Sequence, residues 1–203
     1  HRLRDAVENG WPRGLDLREH SHAEMAASYA AGAANLPFGV LRGARGTDLP
    51  AHNDATRALS CPFTGEELCA VEALRPDVAV IHAQQADREG NVRMWGIVGV
   101  QKEAVLAAKR SIITVEEVVD AFEPGAAGTV LPGWAVSAVC EVPGGARPSY
   151  AQGYYARDNG FYERWDAIAR ERETFRAWMD EHVMGTKDFA EYSSALEKVA
   201  AHG

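Results

Sequence analysis

Four consecutive polar residues, Glu19, His20, Ser21 and His22, stand directly before an Ala-rich apolar run. Ser21 with Glu24 three positions on spells a capping box, which places this tetrad at a helix N-terminus. Unpaired amides and the positive dipole end there receive a carboxylate, a phosphate or an oxyanion. Ser21 and Glu24 serve the cap. Glu19 and His22 are not needed for it, and an imidazole such as His22 can act as a base near neutral pH. Further on, Arg42 sits among Leu41, Gly43, Ala44, Arg45 and Gly46. Glycines let backbone approach closely, and the guanidinium offers a planar fork to a carboxylate or phosphate. An ordinary surface role for Arg42 carries equal weight.

His82 closes an apolar, β-branched run, Asn91 lies in the polar stretch behind it, and Glu116 follows a second such run. Ligands of open α/β sheets sit beyond the carboxyl ends of strands, so all three are second-rank candidates. The competing readings are a satisfied structural histidine for His82 and a helix cap for Glu116.

The chain contains no nucleophile elbow, phosphate-binding P-loop, dinucleotide glycine fingerprint or metal-binding helix motif. Cys61, Cys69 and Cys140 are odd in number and far apart, so neither a disulfide framework nor a metal site is expected, and a reducing cytoplasm is. A net charge of −8 argues against nucleic acid or an anionic membrane surface as partner. No apolar stretch approaches the roughly 20 residues that span a bilayer. The first residue is His1, inside what reads as a helix, so a start partway through a longer protein is expected.

The elements that position these groups follow from periodicity. Residues 1–9 read as a helix stopped by Gly10 and Pro12, 15–18 as a short strand, and 25–34 as a buried helix ended by Asn35 and Pro37. Residues 39–42 suit a strand, and a long irregular stretch follows through Pro50, Asn53 and Pro62. Runs at 77–82 and 111–115 are continuously apolar, the mark of strands buried on both faces. A polar turn at 86–91 leads to a helix at about 98–109, and further strands are expected at 129–131 and 134–142.

The implied fold is α/β: a layered open sheet, mostly parallel, with flanking helices and a helical C-terminal tail. Its boundaries fall at 1–149 for the α/β domain and 150–203 for an aromatic-rich tail packing on it. Phe161, Trp165, Ile168, Phe175 and Met179 form one stripe of that tail, Gly185 interrupts it, and 188–199 form a last helix.

Three segments together resemble the A (alpha) subunit of class I coenzyme A transferases of the glutaconate and 3-oxoacid type. They are residues 31–38 preceded by Glu19, His20 and Ser21, residues 75–83 with Ala86, Asp87, Gly90 and Asn91 following, and residues 114–119. The resemblance covers nearly the whole chain, apart from the family's first strands and an early glycine-rich segment. It implies an enzyme working as a hetero-oligomer with a CoA-transferase B subunit, on acyl-CoA and carboxylic acid substrates. No bound cofactor is implied, since the CoA thioester is itself a substrate. The thioester is attacked by a glutamate of the B subunit, and CoA then passes through a glutamyl-CoA intermediate. The A chain shapes the acyl pocket and stabilises oxyanions. On this reading His22, Arg42 and Glu19 are catalytic, while Ser21, His82, Asn91 and Glu116 bind substrate. A related branch of the fold hydrolyses ring-derived CoA thioesters of steroid catabolism with a glutamate of its A subunit near His22 here. A non-catalytic scaffold role is the third reading.

Overall fold

A computed structural model describes residues 1–43 and 52–201. The residues Ala44, Arg45, Gly46 and Pro50 lie outside that range. Two compact units divide the chain: Arg18–Gly145, and His1–Leu17 together with Ala146–Gly203. The first 17 residues thus group with the C-terminal tail rather than with the α/β body. Helix α1 (Arg2–Asn9) ends as expected at Gly10, which takes a left-handed φ of 66°. Residues 15–18, expected as a strand, have no regular structure.

In the α/β unit, helix α2 (His22–Ala33) begins on the capping box. Ser21 Oγ accepts from the Glu24 amide at 3.2 Å, and Glu24 Oε2 accepts from the Ser21 amide at 2.7 Å. Small residues let neighbouring backbone close on this helix. A methyl group added at Gly39 would sit 2.5 Å from the Ala27 carbonyl oxygen, and one added at Gly32 would overlap the Leu74 carbonyl. Strand β1 (Phe38–Leu41) therefore lies directly along α2. With β2 (Thr56–Ser60) and β3 (Glu67–Glu72) it forms an antiparallel sheet in the order β1-β3-β2. Both β2 and β3 fall outside the strands expected from the sequence. The only apolar residues of β2 are Ala58 and Leu59, and the apolar run of β3 at 68–71 is four residues long and does not alternate, so the period-2 signal is weak.

The second sheet holds β4 (Val78–Asp87), β5 (Val92–Met94), β6 (Arg110–Val119), β7 (Thr129–Leu131) and β8 (Ala138–Glu141), in the order β7-β5-β4-β6-β8. Parallel pairing joins β4, β6 and β8, whereas β5 and β7 add antiparallel strands at the opposite edge. The cause is the turn after β4. Asp87 Oδ1 accepts from the amides of Glu89 and Asn91, and Gly90 takes φ 82°, so the chain reverses at once. Helix α3 (Gln101–Ala107) then returns it to β6. The run expected at 134–142 divides into a 3₁₀ turn, Gly133–Ala135, and β8. Ala79, Ala83, Ile113, Val115, Val92, Met94 and Leu131 pack with Val105 of α3 as the core.

The helical unit adds α4 (Asn159–Arg170), α5 (Arg172–Met179), a π-helical turn at Asp180–Met184 and α6 (Phe189–Ala201). Asp158 caps α4 through the Phe161 amide at 2.8 Å. Phe161 and Phe175 of the expected stripe each meet Trp165, and Trp11 packs edge-on against Phe175. Asp5 of α1 is buried, yet it receives Arg172 through Nε and Nη2 at 2.8 and 2.6 Å, with Arg2 and Asn9 beside it. The Arg172 guanidinium holds its carboxyl well below the usual carboxylate range, against the opposing effect of burial. Among the described residues no helix is long and apolar enough to cross a membrane.

Two expectations follow. Gly32→Ala should lower stability by about 1–3 kcal/mol through overpacking, although alanine in a helix alone would raise it by about 1 kcal/mol. A thermal melt followed by circular dichroism should show Tm down by at least about 3 °C. A carboxyl with a depressed folded-state pKa contributes stability that is complete above its unfolded value of about 4 and is lost as pH falls towards the folded value. Asp5→Asn should therefore lower Tm at pH 7, and the gap from wild type should narrow steadily below about pH 4.

Candidate active site

The expected residues separate into two clusters on different sheets. The first surrounds the start of α2. Helix α2 and β1 are consecutive and run in opposite senses, touching where Gly39 meets Ala27. The end of β1 thus returns towards the N-terminus of α2, and Arg42 comes to the same end of this layer as Ser21 and His22. Asn53, almost fully buried, ties the approach segment down. Its Nδ2 donates to the Glu19 carbonyl at 2.8 Å and lies 3.2 Å from His20 Nδ1. Glu19 and His22 themselves are exposed.

Arg42 is 80% exposed and makes a bidentate pair with Glu66, Nε to Oε1 at 2.9 Å and Nη2 to Oε2 at 3.2 Å. That carboxylate raises the Arg42 pKa above its ordinary value. A competing anion must therefore share or displace Glu66. The adjacent Cys61 thiol is lowered by the Thr64 hydroxyl, helped by the Phe63 and Thr64 backbone.

The second cluster lies within the five-stranded sheet. Register places His82 of β4 beside Thr114 of β6. His82 Nδ1 lies 2.8 Å from Thr114 Oγ1, and Nε2 lies 2.6 Å from Glu116 Oε1. The other Glu116 oxygen accepts from the Gly144 amide at 2.7 Å. The histidine and glutamate side chains are only 16% and 3% exposed. A methyl group at Gly145 would fall 2.8 Å from the imidazole, so this loop closes on the ring only because residue 145 is glycine. Both ring nitrogens are engaged, which fixes the imidazole and suits it to positioning rather than to proton exchange with a substrate. The expectation that His82 and Glu116 end their strands is corrected: β4 continues to Asp87 and β6 to Val119, so both residues are internal.

Asn91 belongs to neither cluster. Its Nδ2 donates to Asp87 Oδ2 at 2.8 Å and its Oδ1 accepts from the Gly133 amide at 2.9 Å, bracing the β4–β5 turn against the 3₁₀ turn. Asn53, Glu66, Thr114 and Gly144 were not singled out by the sequence. Each works through a partner distant in the chain, and no local motif encodes such a pairing. Among the described residues no group of His, Cys, Asp or Glu could hold a metal ion.

The family model described as Coenzyme A transferase matches residues 14–142. Over 196 residues the chain is 63% identical to the A subunit of 3-oxoadipate CoA-transferase from Pseudomonas knackmussii, covering 97% of this chain and 70% of that protein. It is 33% identical to the A subunit of glutaconate CoA-transferase from Acidaminococcus fermentans, covering 90% of this chain and 62% of that one. The crystal structure of the Acidaminococcus fermentans glutaconate coenzyme A-transferase superposes with a TM-score of 0.83 at 30% identity, over 96% of this chain and 66% of that chain. By family match, identity and shared fold together, this chain belongs to the coenzyme A transferase family, with the A-type subunits.

Proposed function

We propose that this chain is the A-type half of an enzyme that moves CoA between an acyl-CoA and a dicarboxylic acid of the 3-oxoadipate class. The 63% identity to a relative of that name, over 97% of the chain, carries this reading. A partner, the B subunit, supplies a glutamate that attacks the thioester carbonyl, giving a mixed anhydride and free CoA thiolate. The thiolate then attacks the glutamyl carbonyl and releases the donor acid. The acceptor carboxylate takes the acyl position by the reverse steps, so the hard exchange is divided into easier ones. No cofactor beyond the CoA thioester enters, and the enzyme works in the cytoplasm.

Each step places negative charge on a tetrahedral oxygen, and donors already in position stabilise it. The amides of His22 and Ala23 lead α2 and have no acceptor within the helix. They, the Ser21 hydroxyl and the Arg42 fork supply that stabilisation. Glu19 and His22 present exposed titratable groups at the same end. The locked pair of His82 and Glu116, with Asn91, holds the strands and turn that frame the acyl pocket.

Reconstituted with the B subunit, Arg42→Ala should lower kcat by about 10²-fold, the loss typical of one oxyanion donor, and His22→Ala, which keeps the backbone amide and removes only the imidazole, by about 10²-fold, the loss of a positioned acid–base group, with complex yield unchanged. Borohydride after acyl-CoA exposure should reduce a glutamyl thioester on that partner, seen by mass spectrometry. Turnover without any carboxylic acid acceptor would show hydrolysis instead. Unchanged rates in the variants would leave the chain a scaffold.

A further inference from the structure

The hairpin that joins β2 to β3 fixes where Glu66 stands. The Cys61 amide donates to the Glu66 carbonyl at 2.7 Å, and the Gly65 amide donates to the Cys61 carbonyl at 2.9 Å. Gly65 takes a φ of 72°, the left-handed conformation that this tight turn needs and that glycine adopts without a steric cost. The Glu66 amide itself donates to the Thr64 hydroxyl at 3.3 Å. Both main-chain groups of Glu66 are thus engaged within the turn.

On its other side β3 pairs antiparallel with β1, Val40 with Ala70 and Leu41 with Cys69. Continued by one residue, that register sets Arg42 opposite Leu68. Glu66 lies two residues from Leu68 along β3, on the same face, and is a diagonal neighbour of Arg42. Diagonal neighbours stand about 7–8 Å apart, a gap that two long side chains close. The acid is the anchored member of the pair: its side chain is 34% exposed, against 80% for the arginine.

The edge of the guanidinium that Glu66 takes decides what is left. It occupies Nε and Nη2, the side-on edge. A guanidinium carries five donors in a planar fork, and one carboxylate uses two of them. The end-on edge, Nη1 with the second hydrogen of Nη2, remains, and among the described residues no acceptor is bonded to Nη1. The carboxylate holds the plane, so this outer edge points in one direction. It also balances the charge of Arg42, so the edge offers aimed hydrogen bonds rather than a bare cation. A resting carboxylate gains little from such a pair. An oxygen that turns anionic in line with the edge gains more, and only contacts of that second kind speed a reaction.

We infer that Glu66 is a positioning residue for the transfer: it grips Arg42 by the side-on edge, aims the end-on edge at the developing oxyanion, and keeps the acceptor carboxylate from binding Arg42 tightly. This rests on the reaction proposed above.

The test uses the chain reconstituted with the B subunit. Glu66→Gln keeps the size of the side chain but puts an amide nitrogen in place of one acceptor oxygen, which breaks the fork and unbalances the charge. It should lower kcat at least tenfold and also lower KM for the acceptor acid at least threefold, a split that partial unfolding does not produce. In an Arg42→Ala background the same substitution should change both constants less than twofold. Glu66→Asp keeps the charge and draws the fork back by one carbon. It should leave KM within twofold of wild type and lower kcat at least threefold, and it takes over the test if Glu66→Gln lowers the yield of complex. Wild-type kcat and KM in the Glu66 variants overturn the inference, as does an effect of equal size without Arg42. The underlying reading fails on a different result, the lack of a glutamyl thioester on the partner of the wild-type enzyme. The coupling of Glu66 to Arg42 is then read on the kcat of hydrolysis with the same variants, and its absence there overturns the inference too.

Discussion

The parallel register between β4 and β6 is the constraint on which most of this chain depends. It sets Ile81 beside Ile113 and Ala83 beside Val115, which builds the core against α3. The same register brings His82 to Thr114 and within reach of Glu116. A slip of one residue would turn each strand's inward set outward. It would strip the imidazole of both partners and leave a deeply buried carboxylate facing apolar side chains. Core and polar cluster therefore share one cause.

The α2 layer works by a different principle. Its precision comes from close backbone approach, glycine against carbonyl, rather than from interlocking large side chains. Gly39 and Gly32 let the neighbouring chain reach the helix so nearly that β1 has little freedom to slide. The capping box fixes where the helix starts, and Asn53 anchors the segment that leads into it. The exposed groups Glu19, His22 and Arg42 are thus carried on a rigid base, as a site for charged substrates requires.

What could be read in the sequence was what is encoded locally. The capping box at Ser21 and Glu24, the stop at Gly10 and the cap-to-tail order of the helices are short-range patterns. Continuous apolar runs revealed β4 and β6, but polar residues at their carboxyl ends hid their full length. The turn at Asp87 was visible as polar, yet its reversal into β5 depends on side-chain bonds to two amides. Strands β2 and β3 gave too little alternation to be seen. The pairs of His82 with Glu116 and Arg42 with Glu66 join residues 34 and 24 positions apart. Such contacts exist only once the sheets are assembled. The resemblance to the transferases identified the family, whereas the bracing role of Asn91 arises only where the folded turn meets Gly133.

Gly145 and His82 bear on how such a protein can change over time. The loop after β8 touches the imidazole with no room for even one added carbon. A larger residue in the loop is tolerable only if the ring has first given way to something slimmer. Loss of the ring in turn removes the partner of one Glu116 oxygen. Drift at these three positions is consequently bound together, and lineages that depart here should do so in concert, leaving a correlated signature between residues remote from one another in the chain.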